Sequence, residues 1–487
     1  MISKSFFKSS IIYTLGGAMP MVGGFILLPF YANRLSELHY AQVQFYILVT
    51  LLLQILFSYS IESYFGIKYT QLSREPEQQK KFTGTVSILL LIIGVSLLIA
   101  FSLTGNFIFS KVFRSDFQME FWPYGFYAVL TAFFNSYFKA STNALIYFKK
   151  PALFFIANII NFIATIGISV GGLILYPETI IGPMYGRLLS GIIIFLIGQY
   201  IFSSYGKFQY ESAFLKDLTA FCTPYIFFAL STWVLSQIDR LFLQESITKG
   251  DLNTYDLALK CFFGIEFLQN SLSAIIFPKL YEIWAKQDKL HTTKESNRYF
   301  NVFTAINILQ IIIFCIALPL AYKLLIHNEK FYESGKYIGV IASGFALRSI
   351  VNFYLSTILF TKKPEILLKI FGISALCQIG LTYFLIRQFG LLGAIYAGLA
   401  TKIIQVVLSS LFTKGIFVYE FNYFKIIIIP FIYIAINVLQ FHFLKEYNVF
   451  FYIGQLLLFT FVFYYTFKNE IFVVIKQFIR NPQKSVS

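Results

Sequence analysis

The chain has 487 residues, 57% of them hydrophobic and only 13% charged, with 39 Lys and Arg against 23 Asp and Glu. Its mean hydropathy is +0.70. A soluble domain carries about 25% charged residues, so a water-soluble globular fold is excluded and the bilayer is the solvent. The net charge of +16 is no nucleic-acid signature, because the basic residues alternate with apolar runs instead of lining one face. The aromatic excess, 59 Phe and 33 Tyr, suits lipid-facing and interfacial positions.

Apolar stretches near the length of a span recur along the whole chain and predict an all-α polytopic protein with about 14 transmembrane helices. The first, near 10–32, follows Lys4 and Lys8 and lacks a small-residue cleavage pattern, so it reads as an uncleaved span. It contains Gly16, Gly17 and Pro20, which membrane helices tolerate where neighbours or water satisfy the freed backbone groups. Spans near 41–65, 84–104, 121–142, 152–175 and 181–203 complete a first group. A second group follows near 219–242, 254–276, 299–322, 337–360, 366–387 and 391–412. Spans near 425–444 and 450–467 close the series. Beyond them Ile471, Phe472, Ile475, Phe478 and Ile479 form an apolar stripe beside Lys476 and Arg480, which predicts a short amphipathic helix on the inner surface.

Orientation follows from lysine and arginine. With the N-terminus inside, about 23 basic residues fall in inner loops against about 9 in outer ones, as the positive-inside bias requires. Both termini are then cytoplasmic.

An internal repeat is visible. Phe148-Lys149-Lys150-Pro151 matches Thr361-Lys362-Lys363-Pro364, Tyr40 matches Tyr255, and Gly182 and Tyr185 match Gly393 and Tyr396. The three shifts agree at about 211–215 residues, the mark of a duplication. Each shift covers an even number of spans, so the halves share one orientation and imply a pseudo-two-fold axis along the membrane normal with a central site. The expected organisation is two pseudo-symmetric six-helix lobes, 1–210 and 211–415, followed by two extra helices and the tail in 416–487.

No phosphate-binding Gly-rich loop, zinc-protease helix, nucleophile elbow or Cys-x-x-Cys pair occurs in the chain. The four cysteines (Cys222, Cys261, Cys315, Cys377) lie in separate apolar runs and read as small buried hydrophobes. The scattered histidines give no convergent metal ligands, and no cofactor or metal is implied. The informative residues are charges within spans, each costing at least about 2.5 kcal/mol at the bilayer centre unless it meets water or a partner. Arg348, Lys402 and Glu266 lie mid-span, whereas Arg187, Lys260 and the pair Asp239-Arg240 sit nearer the outer ends. Lys139, Glu62 and Lys369 lie near inner ends, where they can snorkel. Asp256 and Lys260 are four apart on one helix, so a local ion pair is an alternative for Lys260. For Arg348 and Lys402 the alternatives are a water-filled central cavity or pairing inside a lobe. A cavity with several cations and few acids suits an anionic cargo, and arginine matches phosphate oxygens in particular.

Several stretches resemble the Wzx-type polysaccharide exporters, within the MATE-like superfamily of multidrug and oligosaccharide/lipid exporters. They are Lys8-Ser-Ser-Ile-Ile-Tyr-Thr-Leu-Gly through Leu27-Leu-Pro-Phe-Tyr31, Leu235-Ser-Gln-Ile-Asp239-Arg240-Leu-Phe-Leu243, Tyr255-Asp-Leu-Ala-Leu-Lys260 and Phe389-Gly-Leu-Leu-Gly-Ala394. The resemblance implies two V-shaped six-helix lobes with two further helices. It also implies a flippase, not an enzyme, that translocates undecaprenyl-diphosphate-linked oligosaccharide units of O-antigen, capsule or exopolysaccharide across the bacterial cytoplasmic membrane. Polysaccharide polymerase and glycosyltransferases are the implied partners. Lipid II relatives carry an arginine cluster in the first, second and eighth helices; this chain places only Lys260 comparably, which points away from lipid II. The candidate cargo-binding residues are Arg348, Lys402, Lys260, Arg187 and Arg240, and the candidate ion-coupling acids are Glu266 and Asp239. The alternatives are a cation-coupled small-molecule exporter of the same fold and a membrane-embedded polysaccharide polymerase.

Overall fold

The computed structural model describes residues 4–246, 248–285, 289–326, 332, 335–361, 363–414, 420, 422–444 and 446–480. Lys286, Lys330, Lys362, Lys445 and Lys484, counted in the orientation argument, lie outside the described residues. Within them the regular secondary structure is entirely helical. The helices are α1 (Lys4–Arg34), α2 (Glu37–Ser58), α3 (Ile61–Gln71), α4 (Pro76–Val112), α5 (Phe126–Tyr147), α6 (Pro151–Leu175), α7 (Ile181–Tyr205) and α8 (Leu215–Leu243). They continue with α9 (Lys249–Cys261), α10 (Phe263–Trp284), α11 (Lys289–Leu325), α12 (Ile338–Phe360), α13 (Pro364–Phe389), α14 (Leu391–Phe412), α15 (Ile429–Leu444) and α16 (Val449–Arg480).

Among the described residues 13 helical stretches are long and apolar enough to cross a membrane, and the protein is a multi-pass membrane protein. The remaining expected span is α5. It has 22 residues, about 33 Å at 1.5 Å per residue, enough for a hydrocarbon core of about 30 Å. Its hydropathy is lowered by Thr131, Asn135, Lys139 and Thr142, which recur at helical spacing and so share one face.

The second span, expected near 41–65, is built of two helices. The chain breaks between α2 and α3, where Tyr59 and Ser60 take left-handed backbone angles (φ 47° and 53°). Such angles cost a non-glycine residue roughly 1–2 kcal/mol each. Local bonds recover part of that: the Tyr59 N–H donates to Leu56 O (3.3 Å) and the Ser60 N–H to Ser58 Oγ (3.2 Å). Irregular backbone at membrane depth persists where protein or a water-filled cavity surrounds it, and Ser60 is buried.

By contact the chain divides into two compact units, Lys4–Asn253 and Thr254–Ser487. Helix α8 belongs to the first unit, where Asp217 accepts from Lys68 Nζ (3.0 Å) and Gln244 O accepts from Arg114 Nη1 (2.8 Å). The expected organisation places this helix at the start of the second lobe, 211–415. The repeat anchors do the same job twice. Lys150 and Lys363 precede the Pro-led helices α6 and α13 with almost identical angles, φ −115°, ψ 65° and φ −113°, ψ 63°. Gly182 lets α7 close on α6, since a Cβ there would meet Leu173 N at 2.5 Å. Gly393 lets α14 close on the end of α13, where a Cβ would strike Leu385 O.

Aromatic residues occur both on the surface and in the interior of the described residues. The largest fully buried side chains are all Tyr or Phe, among them Tyr40, Tyr46, Tyr137, Phe65, Phe82 and Tyr433. In the first unit Phe65 stacks on Phe82 (5.4 Å) and Phe82 meets Phe214 edge-on (5.2 Å). Such pairs contribute about 0.5–1.5 kcal/mol beyond their burial. Lipid is as apolar as the core, so close packing of rings, not escape from water, holds the helices together. At the chain's end α16 runs unbroken from Val449 to Arg480, so the stripe expected as a separate surface helix continues the last span; the side chains of 471–480 lie outside the described residues.

Candidate functional site

A cavity of about 750 Å³ lies inside the first unit, walled by α1, α2, α3, α5, α6 and α7. Helix α1 makes the space by lacking side chains. Gly16 and Gly23 seat α1 against Phe154 and Phe162 of α6, whereas Gly17 and Gly24, one residue on around the helix, line the cavity with open space where a Cβ would stand. The polar face of α5 contributes Thr131, Asn135, Lys139, Thr142 and Asn143. Helix α6 adds Asn158, Asn161 and Thr165 at i, i+3 and i+7, again one face.

Three charged residues line it. Glu62, in the first turn of α3 after the break, accepts from Lys139 Nζ at 2.9 Å, and Asn143 Nδ2 donates to the Glu62 backbone carbonyl at 2.8 Å. The Glu62 side chain is 15% exposed and that of Lys139 66%. The pair therefore anchors a carboxylate at the wall while its ammonium reaches the opening. The sequence offers Lys139 and Glu62 as independent snorkelling residues; the fold makes them partners across α3 and α5. The third is Arg187 on α7. Among the described residues it has no carboxylate partner, and its Nε is buried without a hydrogen bond. One pair and one lone guanidinium leave the cavity a net positive charge. A buried donor without a partner costs about 1–3 kcal/mol, more for a charged group, unless water or a ligand accepts from it.

The other expected site residues are placed differently. Arg240 is 5% exposed and turned back on its own helix, with Nη1 3.3 Å from Asp239 Oδ1 and donating to Ser236 O at 2.9 Å. The two expected residues are thus in contact with each other. Lys260 Nζ lies 2.6 Å from Asp256 Oδ2, the local ion pair that the spacing allowed. In the second unit Arg348 pairs with Glu266, and its Nη2 donates to Asn270 Oδ1 at 3.1 Å. For Arg348, pairing inside a lobe is therefore the alternative that the fold contains. Lys402 lies over the Phe345 ring with Nζ 4.6 Å from its centroid, and its stem packs on Gly344. The Phe345 carbonyl accepts from Gln269 Nε2 (3.1 Å) and Asn307 Nδ2 (3.3 Å). In the second unit α12 thus carries both Arg348, paired with Glu266, and the Gly344–Phe345 segment on which Lys402 packs; in the first unit Arg187 lines the cavity.

Sequence reasoning finds Arg187 but misses the neutral half of its surroundings. The signal is present as the polar stripes of α5 and α6, whose residues repeat at helical spacing inside apolar runs.

No protein-family profile matches this chain, and no curated protein sequence matches it. Solved structures do. The lipid II flippase MurJ in an inward closed conformation is similar with a TM-score of 0.68 and 15% identity, over 93% of this chain and 99% of that one. An inward-facing multidrug resistance MATE transporter of the MOP superfamily gives 0.64 at 12% identity, over 81% and 95%. A mutant of the Vibrio cholerae MATE transporter VcmN gives 0.61 at 13%, over 84% and 96%. The chain shares the polytopic all-α fold of these structures.

Proposed function

We propose that this protein is a transporter of that fold which flips an undecaprenyl-diphosphate-linked oligosaccharide unit, for O-antigen, capsule or exopolysaccharide, across the bacterial cytoplasmic membrane. The observation that carries the reading is the unpaired Arg187 in a polar cavity of a membrane-embedded unit. A guanidinium held in low dielectric without a counter-charge favours an anion strongly, and its planar donor fork suits phosphate or carboxylate oxygens. A site for organic cations needs the reverse sign, and the one carboxylate lining this cavity has its charge paired with Lys139 through Oε1, while its Oε2 is buried without a hydrogen bond among the described residues. MurJ, with a similar fold, is a flippase of lipid II.

In this reading Arg187 takes the anionic head first. Arg348, Lys402, Lys260 and Arg240 meet the cargo at other stages, and Arg348, Lys260 and Arg240 must then exchange an intramolecular carboxylate for a cargo oxygen. Glu266 is the coupling acid, because its protonation releases Arg348; Asp239 stands in the same relation to Arg240. Polymerase and glycosyltransferases supply and consume the cargo.

The test uses the purified full-length protein in proteoliposomes with a polyprenyl-diphosphate oligosaccharide whose sugars become oxidisable from outside once flipped. Arg187→Gln should slow flipping at least tenfold, and Arg187→Lys should recover part of it. Uptake of tetraphenylphosphonium with no saccharide flipping would instead establish a cation exporter.

A further inference from the structure

We infer that the cavity of the first unit is a saccharide subsite, in which neutral amides read sugar hydroxyls beside the anion held by Arg187. The inference rests on the proposed transport of a lipid-linked anion and deepens it, by assigning the sugar head to this cavity.

The first support is the state of the amides. Gln54 on α2 and Asn135 on α5 line the cavity, and neither makes a side-chain hydrogen bond to another described residue. On α6, Asn161 Oδ1 accepts from Thr165 Oγ1 at 3.2 Å, which leaves the Asn161 amide N–H groups for the cavity. Each free carboxamide offers two donors and an acceptor with two lone pairs. Adjacent sugar hydroxyls both donate and accept, so one amide can bind two of them. A cavity for a hydrocarbon tail or a lipophilic cation has no use for two such groups and the open amide of a third.

The second support is what stands next to them. Phe154 and Phe162 lie on the same wall as Asn158 and Asn161. A sugar ring has hydroxyls at its edge and an apolar C–H face, and this wall carries both amides and aromatic side chains. The third is size. A volume near 750 Å³ equals roughly 25 waters at about 30 Å³ each, within the roughly 300–1,000 Å³ range of small-molecule sites. That accommodates a short oligosaccharide and leaves the polyprenyl chain outside.

The experiment measures calorimetric binding to the full-length protein in lipid nanodiscs. The probes are geranyl diphosphate and geranyl diphosphates bearing gluco-, galacto-, manno- or N-acetylhexosamine-based disaccharides. At least one disaccharide should tighten binding tenfold or more over the sugar-free probe. The double variant Asn135→Ala/Asn161→Ala should erase that gain while binding geranyl diphosphate as the parent does, which also shows that it is folded. If no disaccharide tightens binding, or if the gain survives in the double variant, the inference is overturned. Arg187→Gln separates the two ideas: it should weaken the sugar-free probe at least tenfold. Unchanged binding of that probe removes the anion anchor of the transport reading, and the sugar-dependent gain alone then decides the subsite.

Discussion

Charged residues in this protein fall into those that cancel inside the fold and those that do not. Asp256 is 3% exposed, and Lys260 at 2.6 Å supplies a counter-charge there. Removing one partner of a buried pair costs roughly 3–5 kcal/mol, because the other charge is left stranded. Asp239 with Arg240 follows the same logic. The Glu266–Arg348 pair differs in being about one third open on each side, with side-chain exposures of 34% and 27%. An accessible pair of this kind can exchange protons and partners, which is why the coupling role is assigned to it. Glu266→Gln keeps the shape and removes the charge. Vesicles containing that variant should bind lipid-linked saccharide and flip it at a rate that no longer responds to an imposed proton gradient. An unchanged response would move the coupling role to Asp239.

At the scale of helices, close approach is governed by residues that lack side chains. Gly182 and Gly172 bring α7 and α6 together, and Gly186 sits on Ser169 so closely that a Cβ would meet its backbone Cα at 2.7 Å. Small residues at such contacts replace the hydrophobic drive that lipid does not supply. Gly182→Leu should therefore lower thermal stability by about 1–3 kcal/mol through overpacking. Gly393→Leu should do the same, since its Cβ would strike Leu385 O. Gly167→Ala has open space and a helical backbone, so it should be neutral or raise stability by about 0.5–1 kcal/mol. Melting of the three variants in detergent checks this; equal midpoints for Gly182→Leu and the parent would remove the close-packing account. The break between α2 and α3 is also an element-scale feature. It sets Glu62 and Ser63 at the head of a new helix at the cavity wall, where a straight helix would carry them around by its regular turn.

For the whole molecule, the positive-inside count predicts that reporter fusions after Lys81, Lys150, Lys216 and Lys363 all report cytoplasm. A periplasmic signal at any two would overturn the orientation and the parallel repeat with it. The multi-pass helical architecture was legible in the sequence, because apolar runs of span length have few physical alternatives. Gly182 and Gly393, expected as counterparts, both stand at close helix contacts, a need that residue size alone can meet. Arg187 stood out because a charge in an apolar run is expensive wherever it points. Its lack of a partner did not stand out, nor did the pairing of Lys139 with Glu62, 77 residues apart. A charge's cost is set by what faces it, and that is decided by which helices pack together. The neutral amides of the cavity were hidden for a related reason. Gln54, Asn135 and Asn161 are ordinary residues one by one, on three helices that only the tertiary structure turns toward one space.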